Sequence, residues 1–280
     1  MSDVPDGIVL VDKPVGISSF GATAAVRRGL GVRKAGHAGT LDPFATGLLI
    51  VLIGRARRIQ RFFMAMPKTY EAVARLGVVS TTGDPEGELT ATGVVPPDPL
   101  VLPTGVIRQR PPAYSAVHID GERAYARARR GEVVEVPERE VTLYAYEQRW
   151  RDADRAALHV RCSSGTYIRS LVADLGDAYT EELRRTSIGP FDVADADPER
   201  VVPLADVVGF FRSVQVDEAT ALLIARGRSV EPGAPIAAPA PGWELPLPPA
   251  EILVRDDAGP VALTTALDDG RLKPVVGFRA

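Results

Sequence analysis

Asp42 stands in GHAGTLDPFATGLLIVLIG, between Leu41 and Pro43 and directly before an apolar run. Pro43 fixes its own φ and biases Asp42 toward an extended backbone. Gly39 permits a tight turn just ahead of it. The carboxylate is therefore held at the mouth of a sheet, not carried on a long loop. An Asp in a turn ordinarily hydrogen-bonds that turn. An acid beside a buried strand needs a partner, or its pKa rises. The residues alone leave both situations open for Asp42.

Residue order excludes some chemistries. A phosphoryl-accepting aspartate would precede a Gly-Thr pair, whereas Gly39 and Thr40 precede Asp42. A Walker loop needs GxxxxGK[ST], and GVRKAGHAGT lacks the lysine after the second glycine. A glycosidase-type pair of carboxylates is not signalled in this block, although Asp84 and Glu86 lie later in the chain. Cys162 is the one cysteine, so no intrachain disulfide can form. The three histidines are scattered, which argues against a cysteine-based metal site.

The net charge of −3 taken alone argues against a nucleic-acid partner. Its distribution argues the other way. From Lys13 to Arg75 there are eleven Lys and Arg against Asp42 and Glu71, which is +9 for the segment and −12 for the rest. A single arginine is ordinarily just solvated surface; eleven against two point to a surface facing a polyanion. Lys13, Arg57 and Arg58 are expected on that polyanion-facing surface, where the family resemblance given below implies an RNA backbone.

The elements that must position these groups can be read in outline. GIVLVDKP is a short strand stopped by Pro14, and SSFGATAAVRRGLG is a helix capped by Ser18 or Ser19 and ended by Gly29 or Gly31. FATGLLIVLIG is a buried strand and RRIQRFFMA a short helix with Ile59, Phe62 and Phe63 inward. KTYEAVARLG alternates, placing Tyr70, Ala72, Ala74 and Leu76 on one strand face. STTGDPEGE is a turn cluster, AALHVRCSSG a strand, and TYIRSLVADLGDAY has helical spacing of Ile168, Leu171, Val172 and Leu175. From Val230 to Ala250 seven of 21 residues are proline, against about 5% on average. That segment is a linker or the irregular start of a small module. Two or three short strands follow it.

GHAGTLDPFATGLL resembles the signature block of the TruB family of tRNA pseudouridine synthases. DKPVGISS, KTYEAVARLG with STTGDPEG, VRCSSGTYIRSLVADLG and LRRTSIGPF resemble its other motifs in the same order, over roughly residues 7–210. QRPPAYSAVHIDGERAYARARRG resembles the insertion that this family adds to the synthase core, with His118 where the family usually has Lys. The resemblance implies an isomerase that converts the TΨC-loop uridine of tRNA, conventional position 55, to pseudouridine. It implies Asp42 as the nucleophile or base and Arg169 as its ion-pair partner. Tyr70 would stack on the flipped base and exchange a proton, and Tyr167 and Leu183 would line the pocket. His37 would help extrude the target base from its loop, which costs a few kcal/mol of lost stacking. No cofactor and no metal are implied.

The fold expected from this resemblance is α+β. A mostly antiparallel mixed sheet flanked by helices would fill residues 1–228, with an RNA-binding insertion at about 110–140. A Pro-rich entry and a small β-rich, PUA-like module would fill 229–280. The expected partner is the T-arm of tRNA. With no apolar run of membrane-spanning length and no basic-then-apolar leader in MSDVPDGIVLVDKPVG, the chain reads as a cytoplasmic monomer without an obligate protein partner. A guide-RNA particle relative and a tRNA chaperone without chemistry are the rival readings. The intact set of Asp42, Tyr70 and Arg169 speaks against the second.

Overall fold

The computed structural model describes residues 4–112, 114–115, 118–119, 122–123, 127, 130, 132, 136–246 and 248–279. The insertion expected at about 110–140 lies largely outside the described residues.

The strand expected from the apolar run is β3 (Thr46–Ile53), with seven of its eight residues buried. Burial on both faces explains why the run does not alternate. Leu48, Ile50 and Leu52 enter one core, and Leu49, Val51 and Ile53 enter another. β1 (Gly7–Lys13) pairs antiparallel with β3 and divides its side chains in the same way. The helix Ser19–Gly29 covers the second core with Ala22 and Val26. Ser18 is its N-cap, accepting from the Gly21 amide at 3.0 Å. β2 (Ala35–His37) returns from this helix and pairs with β3.

The remaining large-sheet strands are β4 (Lys68–Leu76), β7 (Gly105–Gln109), β10 (Arg139–Asp152), β11 (Arg155–Cys162), β12 (Ala178–Ile188), β13 (Phe191–Asp192) and β14 (Val202–Pro203). The order is β14-β1-β3-β12-β4-β11-β10-β7, with β2 attached to β3 and β13 to β12. Two short hairpins, β5 (Val78–Ser80) with β6 (Leu89–Ala91) and β8 (His118–Ile119) with β9 (Glu122–Arg123), stand apart. All pairings in the large sheet are antiparallel except β3 with β12, which join in parallel at Thr46↔Arg184 and Gly47↔Arg185. Gly47 has φ +101°, and a Cβ there would collide with the backbone of Arg185. Only glycine permits this close approach. The alternation expected for β4 is observed, with Lys68, Tyr70, Ala72, Ala74 and Leu76 buried.

The helix read over TYIRSLVADLGDAY is shorter than its spacing suggested. It spans Ile168–Ala173 and ends ahead of Gly176, whose φ is +122°. The residues after that glycine enter β12 instead.

The C-terminal unit also departs from expectation. Its sheet is β15 (Arg212–Gln215), β16 (Ile252–Asp256), β17 (Gly259–Ala266) and β18 (Leu272–Gly277), in that order. The helix Glu218–Ala225 packs Ala221 and Ile224 onto it. Both β15 and this helix precede residue 228, so the second sheet begins before the expected boundary. The prolines do not isolate it. Leu253, Leu263 and Phe278 share one core with Ile8, Leu48, Phe62 and Phe211. Trp243, from the proline-rich segment, stands edge-on to Phe191 at 5.4 Å between centroids.

Excision of the chain after Arg228 removes three strands and strips Leu253, Leu263 and Phe278 from the shared core. The expected outcome is a large drop in melting temperature of the whole remaining chain, measured by circular dichroism. Leu263→Ala alone, at a fully buried position, is expected to cost about 2–5 kcal/mol. An unchanged melting temperature in both variants would mean that the two sheets do not share a core.

Candidate functional site

The loop that carries Asp42 is pinned from below and from the side. Lys13, the last residue of β1, is 0% exposed. Its Nζ donates to the carbonyls of Pro14 and Ile17 at 2.9 Å each and of Pro43 at 3.3 Å. The Gly16 amide donates to the same Pro43 carbonyl at 2.8 Å. Ser19 Oγ donates to the Leu41 carbonyl at 3.0 Å and accepts from the Leu41 amide at 2.8 Å. The residues before and after Asp42 are thus fixed by groups from β1 and the first helix. Lys13 was expected on an RNA backbone. Its burial overturns that: the ammonium is spent on three carbonyls beneath the loop.

The Asp42 side chain is 37% exposed, and its Oδ2 lies 3.0 Å from Arg169 Nε. Arg169 is itself almost fully buried in the helix Ile168–Ala173. Its Nη1 donates to the Thr82 carbonyl at 2.8 Å and to Asp84 Oδ2 at 3.0 Å, and its Nη2 to the Tyr114 carbonyl at 2.8 Å. One guanidinium therefore joins two carboxylates and two carbonyls. Asp84 is held in turn by the Thr82 hydroxyl at 2.6 Å and the Glu86 amide at 3.1 Å. This is the turn STTGDPEGE, and the Thr180 amide of β12 donates to its Gly83 carbonyl at 3.0 Å.

Desolvation pushes the Asp42 pKa above the ordinary aspartate value. The Arg169 and Lys13 charges pull it back, and Asp84 adds to the rise. Exposed Glu86 feels the same field, its pKa raised by partial desolvation and by Asp84 and Asp42. Arg169 alone does not set the ionisation of Asp42, because it is shared with Asp84.

Tyr70 and Leu183 join Leu41, Ala45 and Ala72 in one buried cluster beside the loop. Leu183 faces Ala72 in the register of β12 with β4, and a bulge between Thr180 and Glu182 restores the alternation. Burial raises the Tyr70 pKa, so its phenol stays protonated. Arg185 lies against the Tyr70 hydroxyl. Arg185 is 1% exposed and donates Nε to the Leu48 carbonyl at 2.7 Å and Nη2 to the Gly39 carbonyl at 3.1 Å. His37 ends β2 and lies within the field of the same Arg185. Burial and the Arg185 charge lower its pKa, and its carbonyl accepts from Gln60 Nε2 at 2.7 Å.

Tyr167 is placed differently. Its amide and carbonyl are both bound by the Gln109 side chain, at 2.8 and 2.9 Å, and the Arg139 guanidinium lies 4.9 Å over its ring. These contacts tie it to β7 and β10. The arginine burst is also redistributed. Arg58 Nη1 donates to the Gly277 carbonyl and Arg55 Nη1 to the Phe278 carbonyl, while Arg61 pairs with Glu251 at 2.5 Å. Arg58, expected to face RNA, is thus bound to the C-terminal sheet. Arg57 is exposed.

Asp84 and Arg185 were not assigned roles from the sequence. The signal for Arg185 is alternation: two residues beyond inward-facing Leu183, it must also point inward. For Asp84 the turn signal was present, but nothing local pairs it with a residue 85 positions away.

The TruB family pseudouridylate synthase N-terminal domain model matches residues 27–168. A tRNA pseudouridine synthase B of Corynebacterium efficiens is 45% identical over 233 residues, 77% of this chain and 76% of the relative. One from Thermobifida fusca is 43% identical over 237 residues, 77% of this chain and 79% of the relative. An H/ACA RNP bound to a substrate RNA containing 2′-deoxyuridine contains a chain of similar fold. Its TM-score is 0.67 at 22% identity, with 98% of this chain and 85% of that one covered. The expected α+β architecture, a large mixed sheet with a C-terminal sheet module, is the one observed.

The shared guanidinium makes opposite predictions for two variants. Asp84→Asn removes a charge that raises the Asp42 pKa, and the Asp42 titration should move to lower pH. Arg169→Met removes the charge that lowers it, and the titration should move to higher pH. Carbon-13 NMR of the aspartate carboxyls reads both. Shifts of the same sign would contradict the arrangement.

Proposed function

Because this chain belongs to the TruB family of tRNA pseudouridine synthases, and is therefore an isomerase acting on RNA uridine, we propose that it converts the T-loop uridine of tRNA with Asp42 as nucleophile. Isomerisation breaks the C1′–N1 bond, turns the uracil and forms C1′–C5. The hydrogen on C5 leaves as a proton and N1 gains one. The observation that carries this reading is the fixed, partly exposed Asp42 carboxylate with Arg169 3.0 Å away. A carboxylate open enough to receive a substrate, with Arg169 and Lys13 opposing the rise that desolvation gives its pKa, fits a nucleophile.

Tyr70 supplies the floor. Its ring is buried in the cluster with Leu41 and Leu183, so a uracil entering toward Asp42 meets an aromatic face and an aliphatic edge. The base reaches that pocket only when flipped from its loop, and stacking on an aromatic ring offsets part of the lost stacking. The phenol is a proton donor in the state that burial favours. His37, neutral by burial and Arg185, stands on β2 ahead of the Asp42 loop and suits a wedge at the RNA loop. Tyr167 retains a place at the rim of the pocket. Arg57 remains exposed for a phosphate, and the catalytic unit is the large sheet with its helices, ahead of Arg212. The T-arm of tRNA is the partner, and the protein acts as a single chain in the cytoplasm.

The test uses a T-arm stem-loop carrying tritium on C5 of its uridines. The wild-type protein is expected to release label equal to one uridine per RNA. Asp42→Asn is nearly isosteric and should bind the RNA with wild-type affinity, while release falls by more than about a hundredfold. Release from Asp42→Asn at the wild-type rate would overturn the assignment. Release that survives deletion of the T-loop uridine would overturn the substrate.

A further inference from the structure

The positive charge that the sequence places in the N-terminal third is mostly used up inside the molecule. Lys13 and Lys68 are buried, Arg55 and Arg58 bind C-terminal carbonyls, and Arg61 and Arg75 pair with Glu251 and Asp154. Arg27, Arg28, Arg33, Lys34 and Arg57 are exposed. No carboxylate pairs with any of the five among the described residues. Four of them cluster around one turn. Arg27 and Arg28 close the helix Ser19–Gly29, the Val32 amide folds back to the Arg27 carbonyl at 3.1 Å, and Arg33 and Lys34 lead into β2.

The opposite end of that helix is at the Asp42 loop, where Ser19 grips Leu41 on both its amide and its carbonyl. The next residue, Phe20, is 78% exposed. Val15 and Ile17, in the loop that Lys13 holds, are exposed as well. Phe20, Ala24, Arg27 and Arg28 follow the i, i+4, i+7, i+8 spacing of one helix face. Ala22, Thr23 and Val26 occupy the other face and are buried. The stripe therefore begins with an exposed aromatic ring one residue from the clamp on the Asp42 loop and ends in cations about 12 Å away. β2 brings the chain back from those cations to His37.

Cations in a last helical turn help to stabilise the helix dipole, and single exposed apolar side chains are common on protein surfaces. Neither accounts for an exposed Phe one residue from the clamp on the Asp42 loop, collinear with an unpaired basic cluster.

Resting on the tRNA reading above, we propose that the face Phe20–Arg28 is an RNA-docking stripe. An unpaired base beside the target uridine stacks on Phe20, and the strand's phosphates run along Arg27, Arg28, Arg33 and Lys34. Charge complementarity selects a polyanion, and the exposed ring next to the Ser19 clamp selects one with unstacked bases, a loop over a plain duplex.

The test measures equilibrium binding of a T-arm stem-loop, and of the same stem as a closed duplex, across a salt series. Phe20→Ala is expected to weaken stem-loop binding about tenfold and to leave duplex binding unchanged. Phe20→Trp should retain wild-type affinity. Arg27→Gln with Arg28→Gln should weaken both RNAs and flatten the log–log salt slope by about 1 to 2. All these positions are exposed, so folding should persist, and melting temperature checks it. Unchanged affinity and slope, or an equal loss on both RNAs from Phe20→Ala, would overturn the stripe. Pseudouridine formation by the wild-type protein is read on the same stem-loop. Its absence would sink the T-loop reading, and the binding series would still decide the stripe.

Discussion

One guanidinium, that of Arg169, holds together segments that are far apart in the sequence. It takes Asp42 from the loop before β3, Thr82 and Asp84 from the turn after β5, and Tyr114 from the start of the insertion. A cation so deeply buried is stable only if its donors are met. Asp84 and the carbonyls of Thr82 and Tyr114 meet Nη1 and Nη2 here, while Nε faces Asp42 Oδ2 at 3.0 Å as an ion pair without hydrogen-bond geometry. The same geometry fixes the Asp42 carboxylate relative to the sheet. The loop is held independently from beneath by Lys13 and Ser19. Backbone clamps and the ion pair thus place the carboxylate from opposite sides.

Behind this front lies a second cation with a different economy. Among the described residues Arg185 has no carboxylate partner; it is satisfied by the carbonyls of Leu48 and Gly39 and lies against the Tyr70 hydroxyl. Burial first, and then its field, lowers the pKa of His37 and brings that of Lys68 to about 7. A persistent positive charge next to neutral His37 and protonated Tyr70 suits a pocket in which negative charge is developed and moved. The parallel contact of β3 with β12 makes this possible. Gly47 lets the two backbones approach, and Arg185 then projects under the Gly39 turn.

Much of this was legible from local rules. The apolar run of β3, the alternation of β4 and the Ser18 cap each depend on neighbours a few residues away. Asp42 could be singled out because Pro43 restricts its backbone and Gly39 permits the turn ahead of it. β10 could not: REVTLYAYEQRWRD is rich in charge, and irregularities between Leu143 and Ala145 and between Gln148 and Trp150 break its alternation. The partnership of Arg169 with Asp84, the burial of Lys13 and the attachment of Arg55, Arg58 and Arg61 to the C-terminal unit are long-range facts. A lysine or arginine in a sequence carries no mark of whether its partner is a phosphate or a distant carbonyl. The proline-rich segment is a related case. Prolines exclude regular structure, but they do not prevent Trp243 from packing against Phe191.

In the proposed function the Arg169 fork, and not merely a positive charge, places the Asp42 carboxylate for chemistry. Arg169→Lys keeps the charge and removes the fork, since one ammonium cannot reach Asp42, Asp84, Thr82 and Tyr114 in the observed directions. The decisive measurement is the single-turnover rate of C5 tritium release by Arg169→Lys at saturating T-arm RNA. The account predicts a loss of about a hundredfold or more, with RNA affinity near wild type and no rescue by raising the pH. A wild-type rate in Arg169→Lys would contradict it and reduce Arg169 to a counter-ion.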